Sequence, residues 1–490
     1  ALVGNGASMV TLYYLRRYIT FMQKLFQEIG RDQFSVSKEV HKFFNDIAKA
    51  LNNVDCMVNG SISDADRRKF TDVLSTAGSD YRTSLYNNGF SGDKTNLPTE
   101  DINSFLNNCL KHIDHSIKIN ERKDHLFHAY NLIKFDENGG ISIRHLYEML
   151  EGQVSVLSSG YLDTKKSMVL LKALRNSSLY REDQQSYILY PNRQLPHFYE
   201  KNIILTSLVN ESKVMSRFLR EDQNNIIDID VDGKIHFNSK FRNAGILKQE
   251  LQDINELSNQ DIQEVLDIYE AIFDHQSFTG RSGTFFKYEG LGSIYWHMVS
   301  KLLLTVNDLY LNSNSDDEQL LTELKSIYYD IREGIGIHKN PYLYGAFPTD
   351  PYSHTPAHCG VQQPGMTGQV KEDYISRFGE LGVRISNGKI SFQPSLLEIS
   401  EFIESDQDFN FYDIRGKKGT ISLKKNSLAF TLAQVPIIYT LSEQNSIRVN
   451  FNNNSVKEYD GLDLGKEVSN SVFNREGKVI KIEVNLNLLN

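Results

Sequence analysis

A chain of 490 residues, 40% apolar and 23% charged, is too long for one ordinary core and too apolar to stay disordered, so two or three domains, or one large toroid with an appendage, are expected. A net charge of −9 argues against nucleic acid or an anionic membrane as the main partner and leaves room only for a local basic pocket. Cys56, Cys109 and Cys359 have no Cys-x-x-Cys spacing, which indicates neither a disulfide framework nor a zinc ribbon. There is no long apolar run and no basic stretch ahead of an apolar core at the start, so the sequence predicts no membrane span, no signal peptide and a cytoplasmic setting.

From Ala7 to about Gly30, apolar residues recur at three- and four-residue spacings, the pattern of an amphipathic helix. Helices follow over Ser37–Asn52 and Ser63–Ala77, with SDYRTSLYNNGFSGDKTNLPTE read as loop. Thr99, Glu100 and Asp101 cap another helix, which carries His112 and His115; ordinary packing outweighs a metal pair there. LFHAYNLIKFDENGGISIRHLYEMLEGQVSVLSSG reads as an aromatic strand, a Gly-Gly turn and a helix ending at Gly160, with Asp163–Asn176 helical again. Near SYILYPNRQLPHF, KNIIL and NNIIDIDVDGKIHF, short β-branched and aromatic runs predict loops with small hairpins. Asp228, Asp230, Asp232 and Gly233 mimic half of a calcium loop, but Ser239 stands where the bidentate Glu belongs, so a hairpin turn at Asp232-Gly233 is expected.

Helices resume over Asn259–His275, Gly292–Leu311 and Asp317–Gly334. After about Asn387, KISFQP, GTISLKK, SLAFTLAQVPIIYTL, SIRVNF and KVIKIEVNL alternate with period two between turn residues. Long helices joined by long aromatic loops suit an α/α toroid. The expected fold is therefore mainly α, with a toroid-like helical domain over residues 1–386 and a small antiparallel, β-sandwich-like domain over residues 387–490.

Two stretches carry chemistry. Tyr344–Glu372 holds Pro348, Pro351, Pro356 and Pro364, so it cannot be regular structure, and it also carries His354, His358, Gln363 and Thr367. Long, ordered, aromatic loops of this kind are usually functional. GRSGTFFKYEGLGSIYWHMVSKLLL enters its helix through a Gly-rich turn, where outward-pointing N–H groups, Arg281 or Lys287 could hold an anion. His297 in that helix is by default a packed histidine. His354 and His358 lack a third clustered ligand, so no metal is expected; Cys359 beside His358 makes no dyad by adjacency, and there is no Gly-x-Ser-x-Gly elbow.

In order, the motifs resemble the C-terminal half of the inverting glycoside phosphorylases of glycoside hydrolase family 94 and its oligoglucan-phosphorylase relatives. GNGASMVTLYYLRRY is similar to the helix start after the catalytic-acid motif. LFHAYNLIKFDENGG, LEGQVSVLSSG and LYPNRQLP follow as in that family. YEGLGSIYWHMVSKLLL then resembles the segment with a sugar-contacting Glu and a phosphate-binding His, and PGMTGQV the Thr-Gly phosphate loop.

The resemblance implies an (α/α)6 toroid and a phosphate pocket formed by His297, Thr367 and Gly368. It also implies saccharide contacts from Glu289 and Gln363, with Gln153, Arg193 and His358 as further candidates. Glu289 and His297 stand one residue further apart than in family 94, which favours an oligoglucan-type relative. The implied reaction is attack of phosphate on an anomeric carbon opposite a general acid, giving a sugar 1-phosphate from a β-glucoside by inversion, with inorganic phosphate as co-substrate and no cofactor. The family's acid lies in a Gly-Asp-Trp-Asn-Asp motif. Trp296 is the one tryptophan and no Asp-Trp pair exists, so the acid is expected upstream of Ala1, and a missing N-terminal half or a homo-oligomer is expected as partner beside the glucan. The alternatives are an inverting hydrolase using Glu289 or Asp350 to activate water, and a non-catalytic glycan-binding protein.

Overall fold

The computed structural model describes residues 6–52, 62–136, 139–191, 196–221, 225–254, 256–274, 294–313, 317–335 and 367–488, together with the backbone of 354–355; of 367–370 it describes the backbone alone. The chain divides into two compact units, one formed by 1–299 with 333–366, the other by 300–332 with 367–490. The change in sequence character at 386/387 lies inside the second unit. Among the described residues no helix is long and apolar enough to cross a membrane.

In the first unit, helix Met9–Ile29 starts where the extended Ser8 accepts a hydrogen bond from Thr11 N at 3.2 Å, and it stops at Gly30 with φ +63°. It packs on helix Thr99–Ile119, which turns Ile102, Leu106, Ile113 and Ile117 inward, and Arg16 pairs with Asp114 across the contact at 2.5 Å. Strand Gly6–Ser8 edges a three-stranded antiparallel sheet with Tyr130–Phe135 and Ile141–His145. The expected Gly-Gly turn joins the last two, with Gly139 at φ +85°. The helix expected over 63–77 runs on to Asn88, so SDYRTSLYNN is helical and not loop. No proline interrupts it, and one interior glycine, Gly78, costs only about 1 kcal/mol of propensity.

Residues 198–273 depart furthest from expectation in the short helices before residue 253, whereas the helix expected over Asn259–His275 is present as Asn259–Phe273. They form a body with its own core, in which Val209, Met215, Phe218, Phe241, Leu251 and Tyr269 are almost wholly buried. Short helices Thr206–Glu211, Lys213–Arg220 and Ala244–Gln252, with the longer Asn259–Phe273, enclose the hairpin of Ile227–Ile229 and Ile235–Phe237. Helices of two turns are too short for their period to be read against β-branched neighbours, which is why this stretch looked like loops. The hairpin itself turns where expected, with Gly233 at φ +79°.

In the second unit, Asn307 Nδ2 donates to Ser376 O at 3.3 Å, and Arg384 donates to Leu311 O at 2.7 Å. Helix Thr367–Glu380 therefore meets helix Trp296–Leu311 at Asn307, and a Cβ on Gly379 would lie 2.2 Å from Asn307 Oδ1. Glu380, 2% exposed, is held by Tyr328 Oη at 2.5 Å, Arg332 at 3.2 Å and Arg377. Such a buried carboxylate persists only because each of its oxygens is paired.

The chain closes in a five-stranded sheet ordered Ser427–Leu432, Val435–Leu441, Val479–Leu486, Ser446–Phe451, Val456–Asp460. It corrects the expectation of a wholly antiparallel domain, because Val435–Leu441 and Val479–Leu486 pair in parallel, Ile437 opposite Ile482. The intervening hairpin and helix Lys466–Phe473 form the crossover that a parallel pair requires. The described residues are thus mainly helical with small sheets, followed by a small β domain.

Two glycines should respond oppositely to alanine. At Gly152 a Cβ would lie 2.9 Å from Phe127 O and 3.1 Å from Ala129 Cβ, so Gly152→Ala is expected to destabilise by about 1–3 kcal/mol despite better helix propensity. Gly78 has open space, so Gly78→Ala should stabilise by about 0.5–1 kcal/mol. Urea unfolding of both variants reads the two signs.

Candidate functional site: a junction of motif segments

Strand Ile294–Tyr295 is only two residues long, yet it joins three distant parts of the first unit. Ile294, fully buried, bridges to Ile188 on one side and pairs with Thr355 on the other, while Tyr295 pairs with His354. The segment ahead of the Tyr190-Pro191 loop and the proline-rich loop are thereby tied to the residues that open helix Trp296–Leu311. Trp296 is fully buried and anchors that start. His297 follows, half-buried, with Tyr295 Oη 3.4 Å from its Nδ1 and the two rings edge to face at 5.7 Å. N–H groups of a first helical turn have no intrahelical acceptor and carry the positive end of the helix dipole.

The other motif segments join the same unit through backbone and side-chain hydrogen bonds. Leu150 N donates to Leu189 O at 3.1 Å, linking helix Leu150–Ser158 to the Tyr-Pro segment. Tyr130 Oη donates to Glu151 Oε2 at 2.6 Å. Burial, then the negative Glu151, push the Tyr130 hydroxyl well above its ordinary range, so it acts as a donor and not as a phenolate.

His128 and His145 stack with centroids 4.2 Å apart and planes 10° apart. His128 Nδ1 faces Leu146 O at 3.0 Å; His145 Nδ1 faces Asn131 Oδ1 at 2.8 Å. Asn131 Nδ2 donates to Asn120 Oδ1 at 2.8 Å, and Asn120 Nδ2 donates to Ser116 O at 2.9 Å. Because this relay ends on a carbonyl, it fixes both amides and assigns the proton of His145 to Nδ1. Burial, the adjacent His145 and Arg122 depress His128 to about 4, and burial followed by Arg122 lowers His145. Both rings are therefore neutral at pH 7, with the Nε2 lone pairs as acceptors. Sequence reading missed Tyr130, Glu151 and the two histidines, although they stand inside the quoted motifs, because no spacing rule brings them together.

The expected site residues fall into three groups. His297 stands in the first turn of its helix, and Thr367 and Gly368 open helix Thr367–Glu380, where only their backbone is described. Gln153 is fully buried: its Oε1 accepts from Phe127 N at 2.8 Å, and its Nε2 donates to Phe127 O at 2.8 Å and Met149 O at 2.9 Å. Its amide is occupied inside the fold. Arg193, Glu289, Asp350, His358 and Gln363 lie outside the described residues.

His112, facing Leu51 O at 3.0 Å and stacked on Phe70, is a packed histidine. Among the described residues no group of three metal-ligating side chains occurs. Asp230 turns its carboxylate inward, accepting from Asp232 N at 2.9 Å and Lys234 N at 2.8 Å, as a hairpin and not a calcium loop requires.

Residues 195–276 match the GH149 phosphorylase insertion domain 2, nearly the stretch that has a core of its own. No curated protein matches the chain. The match supports a glycoside-phosphorylase-like relationship, made through a GH149 insertion domain and neither through family 94 nor through a catalytic motif.

Two measurements follow. Gln153→Leu strands the Phe127 N–H and two carbonyls, so it is expected to cost at least about 1–3 kcal/mol in urea unfolding; unchanged stability would contradict the internal role. Because the folded protein refuses a proton that the unfolded His128 accepts, its contribution to stability is full above pH about 6.5 and is lost as pH falls towards 4. His128→Gln should flatten the stability loss between about pH 7.5 and 5, and an equal loss in both proteins would refute that origin.

Proposed function

We propose that this chain forms the phosphate side of an inverting glycoside phosphorylase acting on β-linked oligoglucans, a cytoplasmic enzyme that uses inorganic phosphate as co-substrate and no cofactor. In this reading His297, Thr367 and Gly368 hold the phosphate, while Glu289, Gln363, Arg193 and His358 contact the sugar chain. Gln153 supports the site from within through the Phe127–Ala129 segment. The phosphate dianion attacks the anomeric carbon while a general acid, not assigned to a residue of this chain, protonates the departing oxygen. A dianionic nucleophile needs donors and positive potential, not a base, and an imidazolium, a hydroxyl and first-turn N–H groups supply both.

The observation that carries the reading is the junction at Ile294–Tyr295, which ties the proline-rich loop and the Tyr-Pro segment to the start of the His297 helix. The contact of the Thr367 helix with Asn307, in the continuation of the His297 helix, supports it, as does the GH149 insertion-domain match. Calorimetric titration with inorganic phosphate tests it. Wild type is expected to bind, with affinity falling when salt rises, and His297→Ala should weaken binding at least about tenfold. Failure of the wild type to bind phosphate, or equal affinity in the variant, removes the phosphate site and the reading with it.

A further inference from the structure

Helix Thr367–Glu380 is held at its far end by paired charges and a close approach: Glu380 is bonded by Tyr328 Oη, Arg332 and Arg377, and Gly379 lets Asn307 come near. Its earlier turns meet helix Trp296–Leu311 through Asp373 and Ser300. We infer that Asp373 is a positioning residue for phosphate: through Ser300, its carboxylate holds the helix that opens with Thr367 and Gly368 to the helix that begins at Trp296 and His297. The inference rests on the phosphorylase reading and deepens it by naming what fixes the anion site.

Ser300 follows His297 by about one turn of the same helix and is fully buried. Among the described residues its hydroxyl has no partner other than the Asp373 carboxyl, where its hydrogen bond favours the charged form. Asp373 is half-buried and lies nearly two turns into the helix that starts at Thr367. A second contact lies further along both helices, where Asn307 Nδ2 donates to Ser376 O at 3.3 Å.

Burial pushes Asp373 up to about 6; the Ser300 hydroxyl from the facing helix draws it down, and Glu372, the charged neighbour on its own helix, adds to the rise. The folded protein therefore binds this proton more tightly than the unfolded chain, so ionised Asp373 lowers stability above about pH 6, an effect that vanishes as pH falls below about 4. Packing alone would be served better by asparagine, which has the same shape and no charge. A charge retained against stability next to a proposed anion site points to function. The carboxylate is a stronger acceptor for a hydroxyl than the neutral acid, so it anchors the two helices best when ionised. Its repulsion of phosphate opposes this. Along the helix axis Asp373 stands about 9 Å from Thr367, about one screening length at physiological salt, so the anchor outweighs the repulsion.

The test is calorimetric titration of the full chain with inorganic phosphate between about pH 5 and 7.5. At about pH 7.5 Asp373→Asn is expected to weaken phosphate binding about threefold or more. The ratio of the two affinities, which cancels the titration of phosphate itself, should close towards one at about pH 5, where the wild-type carboxyl is also neutral. The same variant should keep or raise the thermal midpoint at about pH 7.5, the opposite of losing a merely structural bond. Ser300→Ala should weaken binding similarly, and the double variant should bind no more weakly than Asp373→Asn. Ser376→Ala, which removes a second buried hydroxyl from the same helix pair, should leave affinity unchanged. Phosphate binding that is unchanged or tightened in Asp373→Asn at about pH 7.5 overturns the inference and leaves the phosphorylase reading standing. A weakening equal at both ends of the pH range, or accompanied by a lowered midpoint, overturns it as well. Failure of the wild type to bind phosphate removes the reading and the inference together.

Discussion

The first unit depends on one close approach, that of helix Leu150–Ser158 onto the segment Phe127–Ala129, which leads into strand Tyr130–Phe135. Gly152 allows the backbones to touch, and the Gln153 amide bonds both the N–H and the carbonyl of Phe127. A side chain at 152 or an apolar one at 153 would part the two elements. Through this contact the sheet of Gly6–Ser8, Tyr130–Phe135 and Ile141–His145 is fixed to the helix whose first residue bonds Leu189, and one residue before Leu189 the chain bridges to Ile294. The position of the strand ahead of His297 is thus inherited from a buried hydrogen-bonded amide more than a hundred residues earlier. Buried amides with every group satisfied specify a single arrangement, because any alternative leaves a polar group unpaired.

This chain of contacts explains which parts were legible beforehand. Helices Met9–Ile29 and Thr99–Ile119 were readable because each buries one stripe at helical spacing, and the closing sheet because its strands alternate. The hairpin at Asp232-Gly233 was readable from turn chemistry alone. Most of the body at 198–273 was not, since its helices before residue 253 are short and its core is made by packing between separate elements; its last helix, Asn259–Phe273, was. The parallel pair Val435–Leu441 with Val479–Leu486 was equally hidden, because period-two alternation says nothing about strand direction.

The candidate site divides in the same way. His297 and Gln153 were singled out because each stands in a motif that carries the family resemblance. The motif did not reveal that Gln153 faces inward. The stacked His128 and His145, and the Asn120–Asn131 relay that orients one of them, were invisible because tertiary structure alone brings their partners together. The insertion segment adds a feature of different kind, a body with its own core.

The central proposal is that one anion is held by His297 together with Thr367 and Gly368, the first residues of helix Thr367–Glu380. The most direct measurement is a crystal structure of the chain grown with phosphate. The account predicts a phosphate oxygen within hydrogen-bond distance, about 2.7–3.2 Å, of a His297 ring nitrogen, with a second oxygen on the Thr367-Gly368 N–H groups. Phosphate bound elsewhere, or His297 and Thr367 standing more than about 10 Å apart, too far to share one anion, would contradict it.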